Sequence, residues 1–308
     1  MTINSHITTF AGLPVLEYVD GARADDPAAV AWRIEDPDYD GGDVFRARLA
    51  ALVAEPWADR ITALILGSWG STYDSAPPLE LVIEAAAKLP ALTALFIGEI
   101  TFEECEISWI QQGDITPVLE AFPKLEVLTV RGTEDLQLKP LRHTGLRKLT
   151  FEAGGLPAEI VRAVGECDLP ALQHLELWLG TDNYGGDATV DDLTHILIGS
   201  RLPSLTYLGL RDAEIADLVA AALAGAPIVA RLTELDLSLG ILSDVGASAL
   251  LAGQPLIHLL KLDLHHHYIS EPVMDRLNAE LGEAGVAVDL SDAGDPEDVD
   301  ERYVAVAE

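Results

Sequence analysis

The chain reads as an α/β solenoid of about eight or nine repeats, with a parallel sheet on a concave side and helices on the convex side. The first observation behind this is a returning apolar motif. It appears as Ile61-x-x-Leu64-x-Leu66, Leu92-x-x-Leu95-x-Ile97, Leu125-x-x-Leu128-x-Val130, Leu146-x-x-Leu149-x-Phe151 and Leu172-x-x-Leu175-x-Leu177. It continues through Leu205-x-x-Leu208-x-Leu210, Leu232-x-x-Leu235-x-Leu237 and Leu259-x-x-Leu262-x-Leu264 to a degenerate copy at Val288-x-Leu290. The second observation is the spacing: the central positions follow one another at 31, 33, 21, 26, 33, 27, 27 and 26 residues. The third is what lies between, namely segments of helical periodicity closed by proline. Motif and period together are those of leucine-rich repeats.

Each motif predicts a short strand, because its leucines alternate with other residues and therefore share one face. Helical spacing predicts return segments over Leu79–Leu89, Pro157–Val164, Val190–Ile198, Ile215–Leu223 and Ser243–Leu251. Ser243 stands where an N-cap belongs. The pairs Leu89-Pro90, Phe122-Pro123, Leu169-Pro170 and Leu202-Pro203 end their helices, since proline cannot continue one. Residues 1–57 lack the motif and read as an N-terminal cap, with a strand at 30–34 and a helix over Val44–Val53. Residues 58–291 are the solenoid, and residues 292–308 form an acidic tail that reads as disordered.

The charge balance narrows the partners. Fifty-one acidic residues stand against 19 basic ones, a net charge of -32. Phosphate recognition needs Lys and Arg to displace counterions, so nucleic acid is excluded as a partner, and anionic membrane surfaces with it. Two cysteines, Cys105 and Cys167, form no paired framework and suit a reducing compartment. The first ten residues show no secretory signal. The expectation is a cytoplasmic protein, and the Ala- and Asp-rich composition reads as bacterial.

On the concave side the central column runs Ile65, Phe96, Thr129, Thr150, Glu176, Gly209, Asp236, Asp263, Asp289. It is apolar at first and acidic later. Adjacent strands lie ~4.8 Å apart, so Asp236, Asp263 and Asp289 repel one another unless they are solvated, paired with Lys261 or Arg211, or covered by a basic segment. Trp178, Tyr207 and Tyr184 are the aromatic candidates for partner binding, as such residues dominate hot spots. Two Gly- and aromatic-rich loops, 67–74 with Trp69 and 178–187, suit either a recognition rim or mere extra length.

Chemical motifs are few. Asp36-x-Asp38-x-Asp40-Gly41 resembles half a calcium loop, but Ala47 stands at the position that needs a bidentate acid. His265, His266 and His267 with His258 and His174 could offer imidazoles, yet strand alternation separates them. No phosphate loop, nucleophile elbow or zinc-protease motif occurs. No catalytic residue, metal or cofactor is expected.

The stretch Ile241-Leu242-Ser243-Asp244-Val245-Gly246-Ala247-Ser248-Ala249-Leu250-Leu251 resembles the helix opening of ribonuclease-inhibitor-type repeats. The whole layout, including Arg302-Tyr303-Val304-Ala305-Val306, resembles a bacterial family of cytosolic leucine-rich-repeat proteins of unassigned biochemical role. That resemblance implies a protein or peptide partner rather than chemistry by the solenoid itself, a radical-SAM or ATP-grasp-like modifying enzyme being one such partner. The chain departs from the common repeat at the asparagine three residues past the last leucine. Trp69, Ile100, Thr133, Gly154, Gly180, Ala213, Gly240 and His267 stand there instead, so the turns need other hydrogen-bond partners.

The leading expectation is a non-catalytic scaffold that binds a protein or peptide, basic in charge, through Glu176, Trp178, Tyr207, Asp236, Asp263, Tyr184 and Trp69. An alternative is a carrier whose tail, with Tyr303, Val304 and Val306 as a handle, is recognised or modified by a partner enzyme. Against this stands a tail folded back as one more strand. A metal-dependent enzyme built on the histidines is the third and weakest reading.

Overall fold

The computed structural model describes residues 3–19, 21–38, 41–297 and 299–307. Asp40 of the half calcium loop, Asp298 of the acidic stretch, and Met1 and Glu308 at the ends lie outside these. The fold is a leucine-rich-repeat solenoid: strands follow in sequence order and helices return between them. The chain divides into two compact units, residues 2–152 and 153–307.

The first unit carries β1 (Thr9–Phe10), β2 (Leu13–Glu17), β3 (Ala31–Ile34), β4 (Ala63–Leu66), β5 (Ala94–Ile97), β6 (Val127–Arg131) and β7 (Lys148–Glu152). Its helices are α1 (Asp43–Ala54), α2 (Leu79–Glu84) and α3 (Thr116–Ala121). β1 and β2 form a two-residue hairpin through Ala11 and Gly12, both at positive φ. From β2 onward pairing is parallel and in strict register, with Trp32 beside Leu64, Leu95 and Leu128 in turn. The repeat pattern therefore reaches back into the segment expected to be a cap. β2 lacked the full motif and so was not visible as a repeat strand.

No helix lies between β6 and β7 among the described residues, which accounts for the 21-residue gap. His143 takes over the bonding there: it is buried, its Nε2 lies 3.1 Å from the Phe122 carbonyl oxygen, and its Nδ1 accepts from the Leu146 amide.

The second unit carries β8 (His174–Gly180), β9 (Tyr207–Ala213), β10 (Glu234–Asp236), β11 (Lys261–Asp263) and β12 (Ala287–Asp289). Between and after them come α4 (Ala158–Glu166), α5 (Thr194–Ile198), α6 (Ala216–Leu223), α7 (Asp244–Ala252) and α8 (Glu271–Leu277). β8 and β9 run seven residues, but β10 to β12 only three. The cause sits at the third strand position. Asp236, Asp263 and Asp289 each accept the backbone amide two residues on, at 2.9, 3.2 and 3.1 Å. A side chain that captures that amide competes with the ladder and ends the strand. Glu176 and Gly209, at the same position of β8 and β9, make no such bond.

The missing asparagine ladder has a replacement. Asp217, in the first turn of α6, accepts the Ser243 amide at 2.8 Å and its hydroxyl at 2.5 Å. One repeat on, Asp244 of α7 accepts both from Ser270 at 2.7 Å. Ser243 in turn caps α7 by accepting the Val245 amide, as its sequence position predicts. Elsewhere Arg231 donates to the Gly199 and Leu202 carbonyls and Gln254 to those of Leu223 and Ala226, so helix ends are closed by side chains of the following repeat.

Candidate functional site

Side chains that point away from the helices line the open face of each unit. On residues 2–152 that face is apolar and covered over β4 and β5, and polar over β6 and β7, where Thr129, Thr150 and the Arg131–Glu152 pair lie. Ala31, Ala63, Ile65, Ala94 and Phe96 form a cluster separate from the leucine core. Phe10 sits on it with its ring centroid 5.7 Å from that of Phe96, and Ile7, Leu13 and Val15 complete the cover. The segment from Ile7 to Leu13 thus occupies the start of the column that the sequence marked as apolar. The arm is fixed at its outer edge by Glu99, which is fully buried: Glu99 accepts the Ile7 amide at 3.0 Å and meets His6 Nδ1 and Arg33 Nε, each at 3.1 Å.

On residues 153–307 the open face is polar and bonded internally. Arg211 is the hub. Its Nη1 donates to Glu176 Oε1 at 2.6 Å, its Nε donates to Ser238 Oγ at 2.9 Å and lies 3.3 Å from Asp236 Oδ2, and the guanidinium covers the Trp178 ring at 5.4 Å. Trp178 Nε1 donates to Glu176 Oε1 at 2.8 Å, and Tyr207 donates its hydroxyl proton to Asp236 at 2.8 Å. His174 stacks on Tyr207 with centroids 3.7 Å apart and planes at 6°. Tyr207 can lie along the strand because residue 209 is glycine, where a Cβ would come within 3.0 Å of the tyrosine oxygen.

Electrostatics follow from this enclosure. Burial would raise the Glu176 carboxyl, but the His174 hydrogen bond, the Arg211 charge and the Trp178 bond together hold it down at about 2. Burial and then the charges of Glu176 and Asp236 push the Tyr207 phenol far above its ordinary range, so it is a fixed donor. Asp263 is likewise held low against burial by Lys261 Nζ and His265 Nδ1, both at 2.7 Å.

Several expected site residues therefore need correction. Glu176, Asp236, Asp263 and Trp178 are buried, at 6 to 8% exposure, and their polar atoms are engaged within the chain. Asp236 and Asp263 do not form an unpaired acidic ladder, because Arg211 and Lys261 neutralise them and the strand-ending amides use their remaining oxygens. The accessible column is the preceding one: His174, Tyr207, Glu234 and Lys261 are half-buried and Ala287 is exposed. Of the aromatic candidates only Tyr207 joins this surface.

Trp69 is buried and donates to the Ser75 carbonyl at 2.7 Å, so it anchors its loop. Tyr184 is half-buried in a single turn, Asp182–Tyr184, of a loop pressed against residues 154–156. There Gly180 takes φ +67°, and a Cβ would fall 1.9 Å from the Gly154 oxygen. The tail is not a free handle. Val304 and Val306 are buried, residues 299–301 form a turn, and of the three handle residues Tyr303 alone is exposed.

Asp36 accepts four backbone amides, from Asp38, Gly42, Val44 and Phe45, at 2.6 to 3.3 Å. Against burial these bonds hold its carboxyl low, and it closes the start of α1, so its oxygens serve the backbone. Among the described residues the ligand atoms of His6, Glu35 and Glu104, and of Asp263, His265 and Asp289, lie within 4.8 Å of one another. These are the two sets with metal-ligating chemistry, but Arg33 is bonded into the first and Lys261 into the second. The other histidines are dispersed: His267 and His258 bond the Leu290 and Val229 carbonyls, and His266 that of Tyr303.

The motif reading also missed an exposed aromatic pair, Tyr73 and Trp109, whose centroids are 5.6 Å apart. Trp109 belongs to no repeat motif, so only the folded loops bring it to Tyr73.

No protein-family model and no curated protein matches the chain. Among solved structures, the crystal structure of a Bacteroides fragilis protein from the Northeast Structural Genomics Consortium is similar at 28% identity. The match covers 90% of this chain and 77% of that one, with a TM-score of 0.80. Toll-like receptor 13 in complex with single-stranded RNA matches loosely, at 16% identity over 77% of this chain and 30% of the receptor chain, with a TM-score of 0.39. That level carries no argument about binding. No helix among the described residues is long and apolar enough to cross a membrane.

Proposed function

We propose that the protein is a non-catalytic, cytoplasmic scaffold that binds a protein or peptide on the open face of residues 174–289. The observation that carries this reading is the half-exposed His174–Tyr207 stack, held on a buried and fully engaged Glu176–Arg211–Asp236 network. An aromatic platform with a locked orientation loses little entropy on binding, which is how hot spots gain their strength. Glu234 and Asp289 on the same surface favour a partner with basic groups, and Lys261 sets its register.

The wider reading places the chain in a bacterial family of cytosolic leucine-rich-repeat proteins, with modifying enzymes of the radical-SAM or ATP-grasp-like kind as partners. Two free, buried cysteines suit a reducing compartment. The carrier alternative is less favoured, because the proposed handle would first have to leave its docked position.

The test is quantitative cross-linking of the full chain in native lysate, comparing the native chain with Tyr207→Ala and His174→Ala. The expected result is at least a tenfold loss of one partner with both variants and none with Tyr73→Ser. A partner retained by both variants would remove the open face from the binding site.

A further inference from the structure

A second surface lies at the ends of β9, β10 and β11. Asp212, Leu239 and His266 each follow the last leucine of their repeat by two residues, and each holds a positive φ, at 55°, 68° and 56°. Side-chain-bearing residues seldom take this left-handed conformation. It returns once more at Asp292, at 59°, so the repeat itself imposes it and gives these positions one common backbone geometry.

The segment Tyr303–Val306 lies across all three. The Tyr303 amide donates to the Tyr268 hydroxyl at 3.1 Å, and His266 Nε2 lies 3.0 Å from the Tyr303 carbonyl oxygen. The Ala305 amide donates to the Leu239 carbonyl at 2.7 Å and the Val306 amide to Asp212 Oδ1 at 2.9 Å. Val304, Ala305 and Val306 are buried, while the Tyr303 ring is 64% exposed. The segment is thus held through its backbone and small aliphatic side chains, the features by which grooves recognise extended peptides.

Asp212 adds a separate sign. It is fully buried, and among the described residues its Oδ2 has no hydrogen-bond partner. Burial pushes its carboxyl well above the ordinary range, opposed by the amides of Val306 and Ala305. A buried carboxylate facing the seated segment is expensive in simple packing, and the segment's own amides offset that cost.

We infer that this is a peptide-recognition groove filled in cis by the chain's own segment. In trans it accepts an extended peptide with alternating small aliphatic side chains of the Arg-Tyr-Val-Ala-Val kind. A tethered segment acts at an effective concentration on the order of millimolar, so the outside peptide competes only when the segment is released or the peptide is concentrated.

The test uses the full chain carrying Ala305→Pro and Val306→Asp, which remove the Leu239 hydrogen bond and place a charge against Asp212 without altering the groove. The probe is a fluorescein-labelled synthetic peptide of residues 302–307, Arg-Tyr-Val-Ala-Val-Ala, with an amidated end. Anisotropy is expected to show at least tenfold tighter binding to the double variant than to the native chain. A peptide with proline at its Ala305 position should not bind. Equal or absent binding by both chains, with unchanged thermal unfolding, would overturn the proposal. If the double variant does not fold, amide exchange of residues 303–306 in the native chain is followed with several millimolar peptide. Faster exchange supports competition for the groove, and unchanged exchange overturns it.

Discussion

Over β4 and β5 the open sheet face is apolar and carries its own cover; on residues 153–307 it is polar and carries its own counter-charges. Both arrangements avoid an unsatisfied surface, but by different means. In the first unit a distant segment, Ile7 to Leu13, removes Ala63, Ile65, Ala94 and Phe96 from water. In the second, side chains of neighbouring repeats satisfy one another around Arg211 and leave the His174–Tyr207 stack at the surface. The difference teaches that a repeat protein need not use all of its open face for partners: where the column is apolar it is already occupied.

The largest effect expected is from Arg211→Ala. It leaves Glu176 and Asp236 buried without their common cation, and unfolding by denaturant should show a loss of about 3–5 kcal/mol. A loss below about 1 kcal/mol would mean that the hub does not hold the polar face. Next comes Phe10→Ala, expected to lower stability by about 3 kcal/mol and to open the apolar face to a hydrophobic dye such as ANS. Dye binding unchanged from the native chain would show that the arm is not the cover.

A pH titration sharpens the comparison further. Glu176 sits at about 2 in the folded chain against an ordinary 4.5, so folding favours its charged form. The stability this confers is complete above about pH 4.5 and is lost as pH falls toward 2. Trp178 fluorescence followed through that window should report the loss, and Glu176→Gln should weaken the dependence while the lowered carboxyls of Asp263 and Asp36 keep part of it. The smallest effect belongs to Lys261→Met, whose native side chain is 44% exposed. Such a pair contributes under about 1 kcal/mol, so thermal unfolding should barely move while the salt dependence of partner binding changes.

How much of this was legible follows from where the information lies. The leucine strands and the Ser243 cap are local patterns, and each stands where its pattern places it. Of the prolines, Pro90 and Pro123 follow their helices directly, whereas α4 stops at Glu166 and α5 at the left-handed Gly199, short of Pro170 and Pro203. The columns of the open face were also legible as lists, since repeat spacing aligns Glu176, Gly209, Asp236 and Asp263. Their burial was not, because it depends on Arg211 reaching across two strands and on Tyr207 lying over Gly209. The arm was invisible for a stronger reason: nothing in Ile7-Thr8-Thr9-Phe10 says that it will meet Phe96, more than eighty residues away. Asp236 and Asp263 suggested a charged ladder because residue type alone cannot tell a solvated carboxylate from one that terminates a strand.

The bonds from Asp217 to Ser243 and from Asp244 to Ser270 each span 26 residues. Each repeat in this stretch therefore presents an acceptor to the next and a donor to the one before, like identical connectors on successive modules. A duplicated cassette inserted at that joint would find both of its connections satisfied by the existing neighbours. Lengthening the array by copying is thus written into its side-chain chemistry as well as its leucine spacing.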